Sequence, residues 1–385
     1  MHVPDGFLNA PTSVATGAVA AAGVAVALRK AQGELDERTA PLAGLTAAFV
    51  FAVQMLNFPV GVGTSGHLMG GALAAVLVGP WTAVLCLSVV LLVQALLFAD
   101  GGLTALGTNI SLIGITTVIV GWVVTRAVLA VLPKRPASVV PASAVGALLS
   151  VPVAALVFVL LFAVGGEASL SLGALTVSML GWHTLIGIGE AVITGLTVSA
   201  VVAVRPDLVY AARGLRVPLR LRRPDGSLVP APGAAAGVAP AAAGVAPAAA
   251  GAAGAAPAAA GAPGAAAGAP GPAAVVAPAL PRASTKPLLI GGGLVALALA
   301  GVVSFFASAH PDGLEYVAED EGFLATARDH AFGGSALADY GEVGGIPVGV
   351  AGVLGVAVVV IVGVVLFRLV GRRSSAEARR EDAVR

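Results

Sequence analysis

The chain has 385 residues, of which 58% are hydrophobic and only 11% are charged, and its mean hydropathy is +0.97. Soluble domains carry about 25% charged residues, so this composition excludes an ordinary soluble protein and indicates a membrane protein. The net charge of +1 creates no field that would attract nucleic acid. The single cysteine, Cys86, excludes an intrachain disulfide and a thiolate-cluster metal site. Any metal chemistry must therefore use nitrogen and oxygen ligands.

The chain begins with the sequence MHVPDGF, in which a histidine is the second residue. The amino group of Met1, the backbone amide of His2 and the His2 imidazole can close fused five- and six-membered chelate rings on one metal ion. Such nitrogen donors suit a late first-row divalent cation. The site requires an unextended N-terminus, which we expect because residues 1–7 do not read as a secretory signal peptide. The alternative is a histidine without any ligand role.

Apolar stretches predict nine membrane-spanning helices, seven before a long gap and two after it. They are predicted at 11–28, 41–56, 66–79, 80–98, 106–132, 139–164, 182–204, 287–307 and 347–367. The third is the shortest, since 14 residues rise only about 21 Å, and it is expected to tilt or to bend into the protein interior. The predicted fold is an all-α membrane protein with a seven-helix bundle and a C-terminal two-helix transmembrane hairpin.

The basic residues predict the orientation of this multi-pass protein. Nineteen of the 21 basic residues fall on one face of the predicted membrane, Arg126 lies within the fifth span toward that face, and Arg328 alone falls opposite. The positive-inside rule then places the C-terminus in the cytoplasm and the N-terminus outside it. A bacterial cell membrane is the expected location.

A change in composition predicts the domain boundaries. Residues 231–281 are almost entirely Ala, Gly, Pro and Val, which cannot form a packed core. The expected organisation is a transmembrane domain at 1–223, a disordered cytoplasmic linker at 224–285, and a second domain at 286–385 with two transmembrane helices and a basic tail.

A second candidate ligand, His67, lies in the glycine-rich segment NFPVGVGTSGHLMGG at residues 57–71. Glycines remove side-chain bulk around the imidazole and allow another backbone to approach closely. The N-terminal segment could use that room. An ionisable side chain at membrane depth is a functional candidate, but a histidine that caps a helix end is an equal alternative.

Five ordered motifs in residues 1–215 resemble the substrate-binding membrane subunit of energy-coupling-factor cobalt and nickel importers, the CbiM/NikM type. They are MHVPDGF at residue 1, GTSGH at 63, GPW at 79, QALLFADGG at 94 followed by LGTN at 106, and HTLIGIGEA at 183. The resemblance implies a nearly square four-nitrogen site for Co²⁺ or Ni²⁺ as transported substrate. Its ligands here would be the Met1 amine, the His2 amide and imidazole, and His67.

The segment HPDGLE at residue 310 resembles the small two-helix partner subunit of such importers, which is CbiN/NikN-like and is also called the PDGLE domain. The resemblance implies a role in loading metal into the larger subunit. His310, Asp312 and Glu315 could attract a dication to the mouth of the site. A solvated charged loop is the alternative.

Four further polar residues are candidates for orienting the ligands: Asp100, Asn109, His183 and Glu190. His183 and Glu190 are seven residues apart and so share a helix face after two turns. Partners of this kind commonly fix metal-bound histidines. His183 and Glu190 could equally pair with each other or with a neighbouring helix.

No phosphate-binding GxxxxGK[ST] loop occurs in the chain, so ATP hydrolysis by this route is not expected. The resemblance implies that energy comes from a CbiQ-like coupling transmembrane protein and two CbiO-like cytoplasmic ATPases. The expected function is capture of a divalent transition metal, cobalt(II) first and nickel(II) second, that feeds cobalamin biosynthesis. The alternatives are an intramembrane metallohydrolase, although no HExxH motif is present, or a non-transporting membrane anchor.

Overall fold

The computed structural model describes residues 1–35, 39–215, 284–338, 340 and 345–384, with side chains described up to residue 370. The predicted linker, 224–285, lies outside these residues except for its last two positions. The described helices are α1 (Ala10–Lys30), α2 (Thr39–Gln54), α3 (Gly71–Val78), α4 (Pro80–Leu97), α5 (Leu106–Asn109), α6 (Thr117–Val131), α7 (Val139–Gly165), α8 (Leu172–Val204), α9 (Lys286–Gly301), α10 (Gly313–Asp320) and α11 (Val348–Val384).

Seven helical stretches of the described chain are long and apolar enough to cross a membrane: 10–33, 80–97, 106–131, 136–165, 172–204, 286–306 and 348–370. They correspond to seven of the nine predicted spans. The other two predicted spans are the shorter helices α2 and α3. The prediction for α8 was ten residues too short at its start, because the helix begins at Leu172 after the N-cap residue Ser171, whose hydroxyl accepts a hydrogen bond from the Ala174 amide.

The third predicted span, 66–79, was wrong at its N-terminal end. Residues before α3 form a short antiparallel hairpin of β1 (Phe58–Gly61) and β2 (Thr64–Gly66), and the helix begins only at Gly71. Gly70 has a φ of 81°, in the left-handed region that terminates regular helix. With eight residues α3 rises only about 12 Å, and all eight are buried. It is a half-length helix inside the bundle.

Two helix junctions position the polar segments of the bundle. At one end of α3, the buried Glu34 carboxylate accepts hydrogen bonds from the amides of Trp81 and Thr82 at 3.3 and 2.7 Å, which caps α4.

The predicted span 106–132 is one continuous helical run, but residues Ile110–Thr116 are π-helical between α5 and α6. Such π segments are frequent near functional sites.

The second domain packs directly on the first. Helix α11 packs against α2 and α9, and Gly355 of α11 faces the Phe51 ring of α2 at close range. Between α9 and α11, the segment that carries α10 crosses the end of the bundle that also holds the N-terminus. There Phe323 packs against Phe7 and Phe162, with ring centroids 5.0 Å apart in both pairs.

Candidate metal centre

Three nitrogen-bearing groups meet at the N-terminal end of the bundle. The amino nitrogen of Met1 lies 2.5 Å from Nε2 of His67, although the two residues are 66 positions apart. The imidazoles of His2 and His67 stack, with centroids 4.9 Å apart and planes inclined by 7°. Met1 and His67 are 3% and 5% exposed, so both are withdrawn from solvent. These are the three residues that the sequence predicted as ligands.

The spacing of these nitrogens is compatible with a shared metal ion. Metal–nitrogen bonds of about 2.0 Å place neighbouring ligands of a square site about 2.8 Å apart. The Met1–His67 separation of 2.5 Å is close to that value. The ring nitrogen of His2 that would close a six-membered chelate is Nδ1, and this atom now lies 3.0 Å from Asp100 Oδ1. A metal ion bound by His2 must therefore displace the Asp100 contact.

Backbone hydrogen bonds hold the N-terminal segment in place. The Asn109 side chain makes two hydrogen bonds with the backbone of Val3. Its Oδ1 accepts from the Val3 amide at 2.8 Å, and its Nδ2 donates to the Val3 carbonyl at 3.1 Å. The Gly102 amide donates to the same carbonyl. The Asp5 carboxylate accepts from the amides of Leu103 and Thr104. Met1 and His2 are thus fixed through their neighbours, Val3 and Asp5.

Two buried polar side chains form hydrogen bonds that hold the loop that carries His67. The Glu190 carboxylate accepts from the amides of Met69 and Gly70 at 2.9 and 3.1 Å. The Gln54 amide donates to the Met69 carbonyl at 2.9 Å. Nδ1 of His67 lies 3.1 Å from the Leu68 carbonyl, an arrangement that leaves Nε2 as the nitrogen facing Met1.

His183 and Glu190, which the sequence placed on one helix face, do not share a hydrogen bond in the described structure. His183 Nδ1 donates to the Met179 carbonyl at 2.8 Å, which leaves the buried Nε2 as an acceptor without a hydrogen-bond partner among the described residues. Glu190 instead supports the His67 loop. Of the four candidate orienting residues, Asn109, Asp100 and Glu190 contact the ligand-bearing segments directly.

Two carboxylates border the nitrogen donors. Met1 donates to Asp312 Oδ2 at 2.6 Å, and Asp100 pairs with His2. Burial favours the neutral acid, but the Met1 ammonium and His67 outweigh it and hold the pKa of Asp312 well below its usual range. Burial and the Met1 ammonium lower the pKa of His67, so its ring is in the neutral form that binds metal.

The three predicted recruiting residues differ in position. Asp312 reaches the nitrogen donors, whereas the His310 and Glu315 side chains are exposed. His310 contributes through its backbone, because its carbonyl accepts a hydrogen bond from the Ser65 hydroxyl at 2.7 Å. Ser65, Gln54 and Asp5 were not predicted as site residues. The GTSGH and MHVPDGF motifs contained Ser65 and Asp5, but nothing in the sequence singled out Gln54.

Among the described residues, no group of three or more His, Cys, Asp or Glu side chains is arranged to hold a metal ion. The convergence at Met1 is not of that kind, because two of its donors, the amine and the His2 amide, belong to the main chain. Chemically, the arrangement offers nitrogen donors in a buried pocket with carboxylates beside them. This set suits a late divalent transition metal.

Comparison with known proteins assigns the two parts of the chain. The sequence model of the family CbiM, cobalt uptake substrate-specific transmembrane region, matches residues 2–208, and that of the PDGLE domain matches residues 286–372. A putative metal transport protein of Haloquadratum walsbyi is 36% identical over 210 residues, which cover 54% of this chain and 94% of that protein. A putative fused nickel transport protein, NikMN, of Archaeoglobus fulgidus is 37% identical over 211 residues, or 54% and 68% of the two chains.

A solved structure, described as the crystal structure of a truncated transition metal transporter, aligns with 53% of this chain and 99% of its own at 32% identity and a TM-score of 0.48. The match to the CbiM sequence model spans more than half of the chain and includes both His2 and His67. The chain is thus a member of the CbiM family of cobalt-uptake transmembrane proteins, in which the family domain is followed by a PDGLE domain.

Proposed function

We propose that this chain is the substrate-capture subunit of an importer for cobalt(II) or nickel(II). The observation that carries the proposal is the contact between the Met1 amine and His67 Nε2, which brings donors from distant parts of the chain to one buried point. With the His2 amide and imidazole they supply four nitrogens. Membership of the CbiM family supports a transport role over a catalytic one.

The chemistry of capture follows from the donor set. The amine and the His2 imidazole bind as neutral ligands, and the metal ion itself promotes loss of the proton from the His2 amide. An anionic amide nitrogen in a square arrangement favours Ni²⁺, and Ni²⁺ precedes Co²⁺ in the general affinity order. Both ions remain proposed cargo: the family description names cobalt, and the fused relative from Archaeoglobus fulgidus is named for nickel. Supply of cobalt for cobalamin biosynthesis is part of the proposal.

The cargo must be moved with energy from other proteins. We propose a CbiQ-like coupling protein and two CbiO-like ATPases as partners, since this chain has no phosphate-binding loop of the usual kind. The proposed orientation has the metal site outside the cytoplasm and the basic C-terminal tail inside. The proposed division is a metal-binding domain at 1–223 and a PDGLE domain at 286–385, joined by the linker 224–285.

The proposal is tested by metal binding to the purified 385-residue chain with Met1 as its free N-terminus. One equivalent of Ni²⁺ should bind. Its absorption spectrum should be that of a diamagnetic, square-planar four-nitrogen site. Co²⁺ should compete for the same equivalent. A second sample with a chelator-stripped site should recover the spectrum on addition of Ni²⁺. A bound ion with an octahedral oxygen-ligand spectrum, or no bound ion, would contradict the proposal.

A further inference from the structure

Asp312 places a carboxylate from the PDGLE domain on the nitrogen donors of the CbiM domain. Its Oδ2 lies 2.6 Å from the Met1 amine and 3.5 Å from His67 Nε2. The Asp312 side chain is 16% exposed, whereas the Met1 side chain is 1% exposed. The carboxylate is therefore more exposed to solvent than either donor, and it contacts atoms that a metal ion would have to bind.

The two oxygens of Asp312 have separate partners. Oδ1 accepts from the amides of Leu314 and Glu315 at 2.8 and 2.9 Å and caps helix α10. Oδ2 is left for Met1 and His67. The preceding residue is also fixed, because the Ser65 amide donates to the Pro311 carbonyl at 2.9 Å. The position of Oδ2 is thus set by α10 and by the strand before His67, independently of any metal.

A cavity of about 300 Å³ leads to this carboxylate. Its polar lining comes from His2, Asp100, Asp312 and Glu315, and the remainder is mainly apolar. The His2 side chain is 8% exposed, and its buried Nε2 has no hydrogen-bond partner among the described residues. A cavity lined by three carboxylates and a histidine is suited to a hydrated divalent cation.

We propose that Asp312 is the first protein ligand of the incoming metal ion and that it acts during loading. This inference rests on the proposed function. The hydrated ion enters the cavity and replaces one water ligand by Oδ2 of Asp312, which gives up its contact with the Met1 ammonium. The amine then loses its proton to water and forms its bond to the metal. The His2 imidazole and His67 replace further water ligands, the His2 amide loses its proton to water as it binds, and the bond between the metal ion and Asp312 then breaks.

The mechanism predicts a kinetic role. A ligand that is used only in transit lowers the barrier in both directions and leaves the equilibrium nearly unchanged. A permanent ligand, or a residue needed only for folding, would instead alter the dissociation constant. Asp312 can be tested without loss of its structural contact, because Asn and Ser are also effective N-cap residues. Asp312→Asn and Asp312→Ser keep an oxygen for α10 and remove the carboxylate.

The experiment measures Ni²⁺ association and dissociation by stopped-flow absorbance in the full-length chain. Both substitutions should slow association and dissociation by about tenfold or more, equivalent to about 1.4 kcal/mol in the barrier. The dissociation constant and the spectrum should change little. Glu319→Gln is the matched control: it removes an exposed carboxylate from α10, the helix that Asp312 caps, at a position that does not line the cavity, and it should leave both rates nearly unchanged.

The results separate this inference from the proposed function. Loading at the normal rate in Asp312→Asn and Asp312→Ser would overturn the inference while leaving the four-nitrogen site intact. A large rise in the dissociation constant through faster release would also overturn it, since Asp312 would then be a permanent ligand. Failure of the unsubstituted chain to bind Ni²⁺ would overturn the proposed function, and this inference with it.

Discussion

The two segments that carry the nitrogen donors are held in opposite ways. The N-terminal segment, residues 1–9, is held by hydrogen bonds from its backbone to Asn109 and to the loop at Gly102. The His67 loop is supported from inside the bundle by Glu190, which accepts hydrogen bonds from the amides of Met69 and Gly70, just before α3. Neither segment is a regular helix where its ligands lie. The positions of Met1, His2 and His67 therefore depend on polar side chains that form hydrogen bonds with buried, irregular backbone.

This difference predicts different consequences when each support is removed. The N-terminal segment supplies three of the proposed donors. Several hydrogen bonds hold its backbone, so the loss of one of them leaves the others in place. The His67 loop supplies one donor, and its amides depend on a single carboxylate. Loss of a ligand should thus have the largest effect, loss of Glu190 a smaller one, and loss of Asn109 the smallest.

His67→Ala should have the largest effect, because it leaves an open coordination position in a buried site. Loss of a residue that merely orients a ligand typically costs about 10–100-fold in metal affinity, so loss of the ligand should cost about 100-fold or more. Isothermal titration with Ni²⁺ measures this. His310→Ala removes an exposed imidazole near the same loop and should bind normally. Normal binding by His67→Ala would move the fourth ligand elsewhere, with His183 as the next candidate.

Lowering the pH should weaken binding next most strongly. The Met1 ammonium and the His2 amide must each release a proton, whereas His67 releases none because its lowered pKa keeps it neutral. Two displaced protons weaken binding by about 100-fold for each pH unit below neutrality. Calorimetry in buffers of different ionisation enthalpy counts these protons. A count near zero at pH 7 would exclude amine and amide ligation together.

Glu190→Gln should weaken Ni²⁺ binding by about 10–100-fold, the range typical of residues that orient ligands. A glutamine can accept from one of the two amides but presents an NH₂ group to the other, so the His67 loop loses its fixed position. Glu34→Gln is a matched control, because Glu34 is also a buried carboxylate that accepts from two amides, at the opposite end of α3. It should lower stability without a comparable change in affinity.

Asn109→Leu should have the smallest effect of the four, about tenfold at most in affinity. It removes both bonds to Val3, but the Gly102 amide and the Asp5 carboxylate still hold the segment. Asn9→Ala, which removes the cap of α1 at the end of the same segment, is the control and should cost only about 1 kcal/mol of stability. A loss in Asn109→Leu as large as that in His67→Ala would show that the N-terminal segment has no shared support.

The long apolar spans were predictable from hydropathy, because each depends on local sequence. The sequence also singled out Met1, His2 and His67, which the structure brings together, and their role as metal ligands remains a prediction. The β1–β2 hairpin was missed, since strands of four and three residues are too short for a periodic pattern. The supports were harder to predict. Gln54 binds a carbonyl 15 residues away, and Ser65 binds carbonyls about 245 residues away, so no sequence spacing marks either contact.

The same limit explains the different outcomes for His183 and Glu190. Their spacing of seven residues correctly placed both on the buried side of α8. It could not show that the carboxylate faces Met69 and Gly70 while the imidazole bonds to its own helix at Met179. These choices depend on where an irregular loop needs acceptors, which only the folded structure reveals.

The most direct test of the central claim is an insertion of two alanines before Met1, in a chain that otherwise keeps His2 and His67. The insertion moves the free amine by two residues and leaves a peptide nitrogen where the amine was. A single alanine would not serve, because the histidine would then be the third residue, and an amine, two peptide nitrogens and a third-position imidazole also close fused chelate rings on Ni²⁺. Equilibrium dialysis with Ni²⁺ should then show loss of high-affinity binding. Retention of one tightly bound equivalent by the extended chain would contradict the account.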